Sequence, residues 1–279
     1  MKTPVDGVEI EYEATGSGPA VLLFHAFPLG LFMWDAQAEA LAATHRVVRF
    51  DARGFGGSGL GEGPLTMERI ADDGAALLDH LGIEKAVVGG CSMGGYAAFA
   101  FVRRHPQRLA GLVLQDTRAG ADGAEAKANR ATLAARVLAE GAPVAVEAFL
   151  PKLVGETTHR ERPGLVASLR ERILSASPLG IANALHGLAA RADSRETLPT
   201  IAAPTLVLVG AEDALTPPAE AATMAAAIPR ARLDVIPQAG HLANLENPAA
   251  ANPALRAFLA RDAARWRSRR AGGDQEAGA

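Results

Sequence analysis

The 279 residues, 49% hydrophobic and 21% charged, hold enough apolar material for a packed core, which excludes disordered and fibrous classes. With 28 basic side chains against 31 acidic ones the net charge is −3, so no global field draws a phosphate backbone and nucleic acid is not an expected partner. Cys91 is the single cysteine and cannot form an internal disulfide, and Lys2 is followed by Pro4, Asp6 and Glu9 rather than by an apolar leader, so a cytoplasmic protein is expected.

In chain order, residues 8–14 alternate apolar and polar, as a half-buried edge strand does. After the turn at Gly16-Ser17-Gly18-Pro19 comes an unbroken apolar run, 20–24, the pattern of a strand buried on both faces. A helix is predicted at 35–43 and a strand at 46–50. Thr66 is placed to cap a helix whose Ile70, Leu77, Leu78 and Leu81 form an inward stripe, with Gly82 ending it. Val87 and Val88 then form a strand, a helix begins at Tyr96, and 109–114 is another strand. The uncharged stretch 86–102 is 17 residues long, near membrane-spanning length, but its glycine-rich centre fits a strand, a sharp turn and a helix better.

Between about 117 and 200 the apolar residues fall at helical spacing. Leu165, Leu169 and Ile173 share one face, as do Ala182, Leu185 and Leu188, with Ser177 and Pro178 as a cap and first-turn pair. This segment is expected to be an inserted helical lid. Strand signals resume at 205–209 and 233–236, with a helix opened by Thr216 and Pro217 and a last helix that kinks or starts late near Pro253. The expected division is therefore a core over 1–117, a lid over 118–200, a core again over 201–266 and an unstructured tail over 267–279. Alternating strands and helices make the fold class α/β, a mostly parallel sheet with helices on both faces.

The chemistry concentrates at Gly90-Cys91-Ser92-Met93-Gly94, a G-x-S-x-G between a strand and a helix. A turn that tight needs small neighbours and lifts the serine hydroxyl above the carboxyl edge of the sheet, where the amides of the next helix face developing negative charge. Serine is a poor nucleophile without a base and an orienting acid. Of seven histidines, His241 alone sits in a loop after the last strand; His45, His80 and His105 are read as surface or capping residues near helix and strand ends. Asp213, just past the strand 205–209, is the leading acid, with Asp116 and Glu212 as rivals.

Together with His25-Ala26-Phe27-Pro28, Asp51-Ala52-Arg53-Gly54-Phe55-Gly56-Gly57-Ser58, Gly240-His241 and Glu246-Asn247-Pro248, this motif order resembles the α/β-hydrolase-fold serine hydrolases over residues 8–259. The resemblance implies an eight-stranded sheet and an oxyanion hole from the backbone N–H groups of Phe27 and Met93. Ala26 stands where the family usually has glycine, and a Cβ there would resist a positive φ.

Other readings are weaker on context. Gly54-Phe55-Gly56-Gly57-Ser58-Gly59 spells a dinucleotide fingerprint, but a loop follows it instead of a helix. No cofactor or metal is expected. Trp34, Phe149 and His186 are candidate pocket residues beside Phe27 and Tyr96, and the lid arginines Arg170, Arg172 and Arg191 are read as solvated rather than substrate-binding. The expected activity is hydrolysis of a small carboxylic ester or lactone through an acyl-enzyme, enol-lactonases being one resembling group. Alternatives are C–C bond hydrolysis, cofactor-free perhydrolysis of the haloperoxidase kind, or a slow ligand sensor. A small-molecule substrate is the expected partner, with no membrane contact and an open oligomeric state.

Overall fold

The computed structural model describes residues 1–266. The tail expected at 267–279 lies outside the described residues. Eight strands form one sheet: β1 (Lys2–Val5), β2 (Val8–Thr15), β3 (Ala20–Phe24), β4 (Arg46–Phe50), β5 (Ala86–Cys91), β6 (Leu109–Gln115), β7 (Thr205–Gly210) and β8 (Ala231–Ile236), in the order β1-β2-β4-β3-β5-β6-β7-β8. β1 and β2 pair antiparallel and β2 runs antiparallel to β4, while all pairings among β3 to β8 are parallel. Every residue of β3, β5 and β7 is buried, so both faces of the central sheet are covered, as their unbroken apolar runs require.

The edge strand is β1, not 8–14. A four-residue strand containing Pro4 carries no periodic signal of its own and exists through pairing with β2, where Thr3 faces Ile10.

The helices are α1 (Asp35–Leu41), α2 (Met67–His80), α3 (Met93–Arg104), α4 (Ala124–Glu140), α5 (Pro143–Leu153), α6 (Glu156–Glu161), α7 (Pro163–Leu174), α8 (Pro178–Ala190), α9 (Pro218–Ala227), α10 (Ala243–Glu246) and α11 (Pro248–Trp266). Thr66 caps α2 by accepting the Arg69 N–H at 3.1 Å, and Ser177 caps α8 by accepting from Gly180 at 3.3 Å. α11 starts at Pro248 and continues through Pro253. Among the described residues no single helix is long and apolar enough to cross a membrane.

The loop after β4 shows why its glycines do not make a nucleotide site. The Asp51 carboxylate accepts from the backbone of Leu31 at 2.7 Å and Gly57 at 3.0 Å, and Ser58 donates to the Asp51 carbonyl at 2.6 Å. Arg53 forms a buried bidentate pair with Asp73 at 2.8 and 2.7 Å. The loop also seats the helical segment: α8 crosses it where Gly180 meets Gly54, and Leu65 donates to the Asn183 carbonyl at 3.0 Å.

Between β6 and β7 lie α4 to α8 and a short 3-10 turn at Arg195–Thr200, with α4 and α8 in extensive contact. These helices stand over the carboxyl ends of the central strands, where Ser92, Asp213 and His241 come together.

Candidate active site

β5 ends against the start of α3, and the crossing is tight enough to dictate its residues. A Cβ on Gly90 would lie 2.0 Å from the Gly94 carbonyl oxygen, and one on Gly94 would lie 2.2 Å from the Phe24 carbonyl oxygen. Ser92, between them, has φ 53° and ψ −112°. Such a backbone costs about 1–3 kcal/mol and persists because its surroundings over-determine it. The Ser92 N–H donates to Gln115 at 3.0 Å, and its carbonyl accepts from Gly95, Tyr96 and the Thr117 hydroxyl at 2.9, 3.2 and 2.9 Å.

The hydroxyl held there reaches His241. Ser92 Oγ lies 2.8 Å from His241 Nε2, and His241 Nδ1 lies 2.9 and 3.0 Å from the two Asp213 carboxylate oxygens. Asp213 also accepts from the backbone of Leu215 at 2.8 Å and Thr216 at 3.0 Å, and from the Thr216 hydroxyl at 2.7 Å. Burial would raise this carboxyl, but the His241 hydrogen bond and charge and the Thr216 donors hold it below the ordinary aspartate value. With Asp213 ionised, Nδ1 carries the ring proton and Nε2 is left to accept from the serine.

The rival acids have other tasks. Asp116 is buried at φ 43° and accepts from Gly210 N–H at 2.8 Å, Ala243 N–H at 3.0 Å and the Gln115 side chain at 3.1 Å, tying the end of β7 to the start of α10. Burial and the neighbouring Asp213 charge push its carboxyl well above the usual range. Glu212 accepts from the Thr157 N–H at 2.9 Å and hydroxyl at 2.5 Å, anchoring the first turn of α6.

Glu246 was visible only as part of a closing motif, yet it braces the histidine loop. Its carboxylate accepts from Gly240 at 2.9 Å, Leu242 at 3.0 Å and Gly155 at 2.7 Å, so one side chain holds both neighbours of His241 and the start of α6.

Ala26 lies outside the left-handed region, so its Cβ imposes no penalty at this turn. Beneath it, His25 donates from Nδ1 to the Ala26 carbonyl and accepts the Ala52 N–H at Nε2, both at 2.9 Å. Burial lowers the His25 pKa against the opposing pull of Asp51 and the Ala26 carbonyl, which keeps the ring neutral for this paired role. Phe27 and Met93 both line the cavity beside Ser92, and neither of their amides donates to another described residue.

The cavity measures about 120 Å³, with Ser92, His241 and Thr216 on its polar side and Tyr96, Phe149 and Leu153 among its apolar walls. Phe149 meets Phe27 edge to face at 5.0 Å. Trp34 and His186 do not line the cavity. Trp34 is enclosed in the core, and His186 sits on the outward face of α8, whose inward positions are Ala182, Leu185 and Leu188. Cys91 is fully buried, its thiol 3.6 Å from the His241 carbonyl and pushed up by burial and by Asp116.

Arg191 is not solvated: it is buried, with its guanidinium 4.4 Å over the Tyr96 ring and 2.7 Å from Asp122. Arg172 lies over the Phe32 ring, and Arg170 pairs with Glu171 at the surface. The arginines that reach the cavity are Arg118, two residues past Asp116, and Arg130, on α4. Neither carries a motif, and only the tertiary packing around Ser92 reveals them.

The sequence pattern of the α/β-hydrolase fold matches residues 19–248. The 3-oxoadipate enol-lactonase 2 of Acinetobacter baylyi is 31% identical over 261 residues, covering 91% of this chain and 94% of that protein. Among solved structures, a thermophilic esterase from Thermogutta terrifontis with malate bound superposes with a TM-score of 0.90 at 48% identity, covering 93% of this chain and 96% of the other. The enol-lactonase from Burkholderia xenovorans superposes at 0.87 and 30%, covering 93% and 100%. A pattern that spans so much of the sequence carries the family with it, and this chain belongs to the α/β-hydrolase fold family.

Proposed function

We propose that the chain is a serine hydrolase that cleaves a small carboxylic ester or lactone through an acyl-enzyme. The observation that carries this reading is the continuous relay Ser92–His241–Asp213, opening into a cavity that Phe27 and Met93 also line. Similarity to an esterase and to enol-lactonases supports the substrate class.

The chemistry follows from the atoms. Ser92 Oγ attacks the carbonyl carbon while its proton passes to His241 Nε2, and Asp213 stabilises the imidazolium that forms. Negative charge moves onto the carbonyl oxygen, where the Phe27 and Met93 amides donate; one such donor lowers the barrier by about 3 kcal/mol. The imidazolium returns its proton to the departing oxygen, leaving an alcohol, or in a lactone the freed hydroxyl of the same molecule. Water then gives a proton to His241 and attacks the acyl carbon; as the acid leaves, the imidazolium returns that proton to Ser92 Oγ and the free enzyme is restored. Nucleophile, base and charge stabilisation all come from side chains and backbone, so no step calls for a cofactor or metal.

The segment 118–200 acts as the lid of this cavity, with 1–117 and 201–266 forming the core, and its walls suit a small, partly apolar acyl group. One buried, unpaired cysteine suits a reducing compartment, and the cytoplasm is the proposed location.

Fluorophosphonate labelling followed by a panel of esters and lactones tests the reading. Labelling at Ser92 and multiple turnovers that vanish in Ser92→Ala are expected. Stoichiometric capture of ligand without turnover would replace the enzyme by a sensor.

A further inference from the structure

Resting on the hydrolase reading, we infer that Arg118 and Arg130 form a carboxylate-binding subsite in the cavity of Ser92, so that the substrate is an ester or lactone carrying a free carboxylate.

Three guanidiniums converge on one buried carboxylate. Asp122, its side chain 0% exposed, receives Arg191 Nη2 at 2.7 Å and Arg118 Nη2 at 3.0 Å on one oxygen and Arg130 Nε at 2.5 Å on the other. Burial would raise the Asp122 carboxyl, but Arg191 and Arg130 hold it well below the usual range, so it stays ionised and supplies one negative charge against three positive ones.

The three cations are not equivalent. Arg191 is committed to structure: besides Asp122 it donates to the carbonyls of Leu188 at 2.9 Å and Gly120 at 3.1 Å, and it covers the Tyr96 ring. Arg130 uses only Nε and Arg118 only Nη2. That leaves both terminal nitrogens of Arg130, and Nη1 and Nε of Arg118, without a partner among the described residues, and the Arg118 Nε is shut off from solvent. Both residues line the cavity that holds Ser92. Among the described residues no acid lines this cavity; Glu220 lies with Arg195 in an adjoining cavity that shares Arg118.

Surplus positive charge with spare planar donors, next to a nucleophile and among apolar walls, is costly unless an anion completes it. Two guanidiniums offering paired N–H groups match the two oxygens of a carboxylate. Asp122 fixes the fork in place before the substrate arrives, so little ordering accompanies binding.

The test compares kcat/KM for monomethyl glutarate and its neutral analogue methyl hexanoate in the wild-type enzyme, Arg130→Gln and Arg118→Gln, with thermal unfolding of each. From the strength of hydrogen bonds to charged groups, the wild-type enzyme should favour the acidic ester at least about ten-fold, and each substitution should erase most of that ratio. Arg118 is the more exposed of the two, with 34% of its side chain accessible, so its variant keeps the test alive if Arg130→Gln does not fold.

A wild-type ratio near one, or a ratio unmoved by substitution while only the melting temperature falls, would reduce the cluster to a clamp between α4 and α8 and overturn the subsite. If neither ester is cleaved and Ser92 is not labelled, the hydrolase reading fails separately. Calorimetric titration of Ser92→Ala with glutarate then decides the subsite alone: binding that weakens at least ten-fold in Arg118→Gln supports it, and no saturable binding overturns it.

Discussion

The two sides of the cavity are built on opposite terms. On the sheet side the carboxylates around the relay are saturated: Asp213 takes four donors, Asp116 three and Glu246 three, and between them they fix Gly210, Leu215 and Thr216 near Asp213 and Gly240, Leu242 and Ala243 around His241. On the helical side, three guanidiniums share one carboxylate and leave donors open. Saturation holds reacting atoms to the small tolerances that orientation demands. Open donors on a firm base are instead what a binding surface needs. The difference assigns bond-breaking to the sheet side and selection to the helical side, and substitutions on the two sides should fail differently.

The largest effect belongs to the nucleophile. Ser92→Ala should lower kcat by about 10⁶-fold, as loss of a triad nucleophile does, while the melting temperature stays level or rises, because a strained functional residue carries no stability of its own. Initial rates with an ester and a thermal melt check both. Asp213→Asn should cost roughly 10⁴-fold in kcat, since an amide at this position favours the wrong histidine tautomer. Asp116→Asn should stay within about ten-fold, its role being to anchor backbone. If Asp116→Asn were the inactive variant and Asp213→Asn the active one, the relay would run through the wrong acid and the sheet-side account would break.

What was legible in the sequence follows the same divide. Ser92, Asp213 and His241 each sit in a loop directly after a strand, so local pattern and order along the chain pointed to all three. Asp116 and Glu212 sit in equally suggestive places, and only the direction of their side chains, set by tertiary packing, separates backbone anchors from a triad acid. On the helical side local pattern says less. Arg130 belongs to an alanine-rich helix whose only buried positions are Ala134 and Val137, and in sequence it reads like any solvated arginine. Which face of α4 covers Ser92 depends on α8, which begins 54 residues after α4 does and crosses the glycines after β4. Trp34 failed as a pocket residue for a related reason: an aromatic near the active-site turn has two sides to face, and this one faces the core.

A smaller effect should appear in acid. The Asp122 pKa is depressed in the folded protein, so the carboxylate contributes stability that is complete above its unfolded value, near 4, and is lost as pH falls below it. Asp213, also depressed, acts in the same direction. Asp122→Asn should therefore lower the urea midpoint at pH 7 and flatten its fall between pH 5 and 3. A wild-type midpoint that stayed level over this range would mean that the cluster gains nothing from the ionised Asp122, and the preformed fork on the helical side would lose its base.

The smallest predicted effect probes the seam between the two sides. Glu212 leaves β7 on the sheet side and holds Thr157 at the start of α6, only a few residues after Phe149 and Leu153 in the cavity wall. In Glu212→Gln the amide oxygen can still accept from Thr157, but the bond loses its charge, a change of about 1 kcal/mol. The wall should loosen while the relay keeps its geometry: a KM increase of about two- to five-fold, a kcat within two-fold of wild type, and faster amide hydrogen exchange at Thr157. Because a loosened wall acts on binding more than on chemistry, the split between KM and kcat is the informative reading. A fall in kcat of a hundred-fold with KM unchanged would place Glu212 in the chemistry, and the line between the side that reacts and the side that selects would have to be redrawn through it.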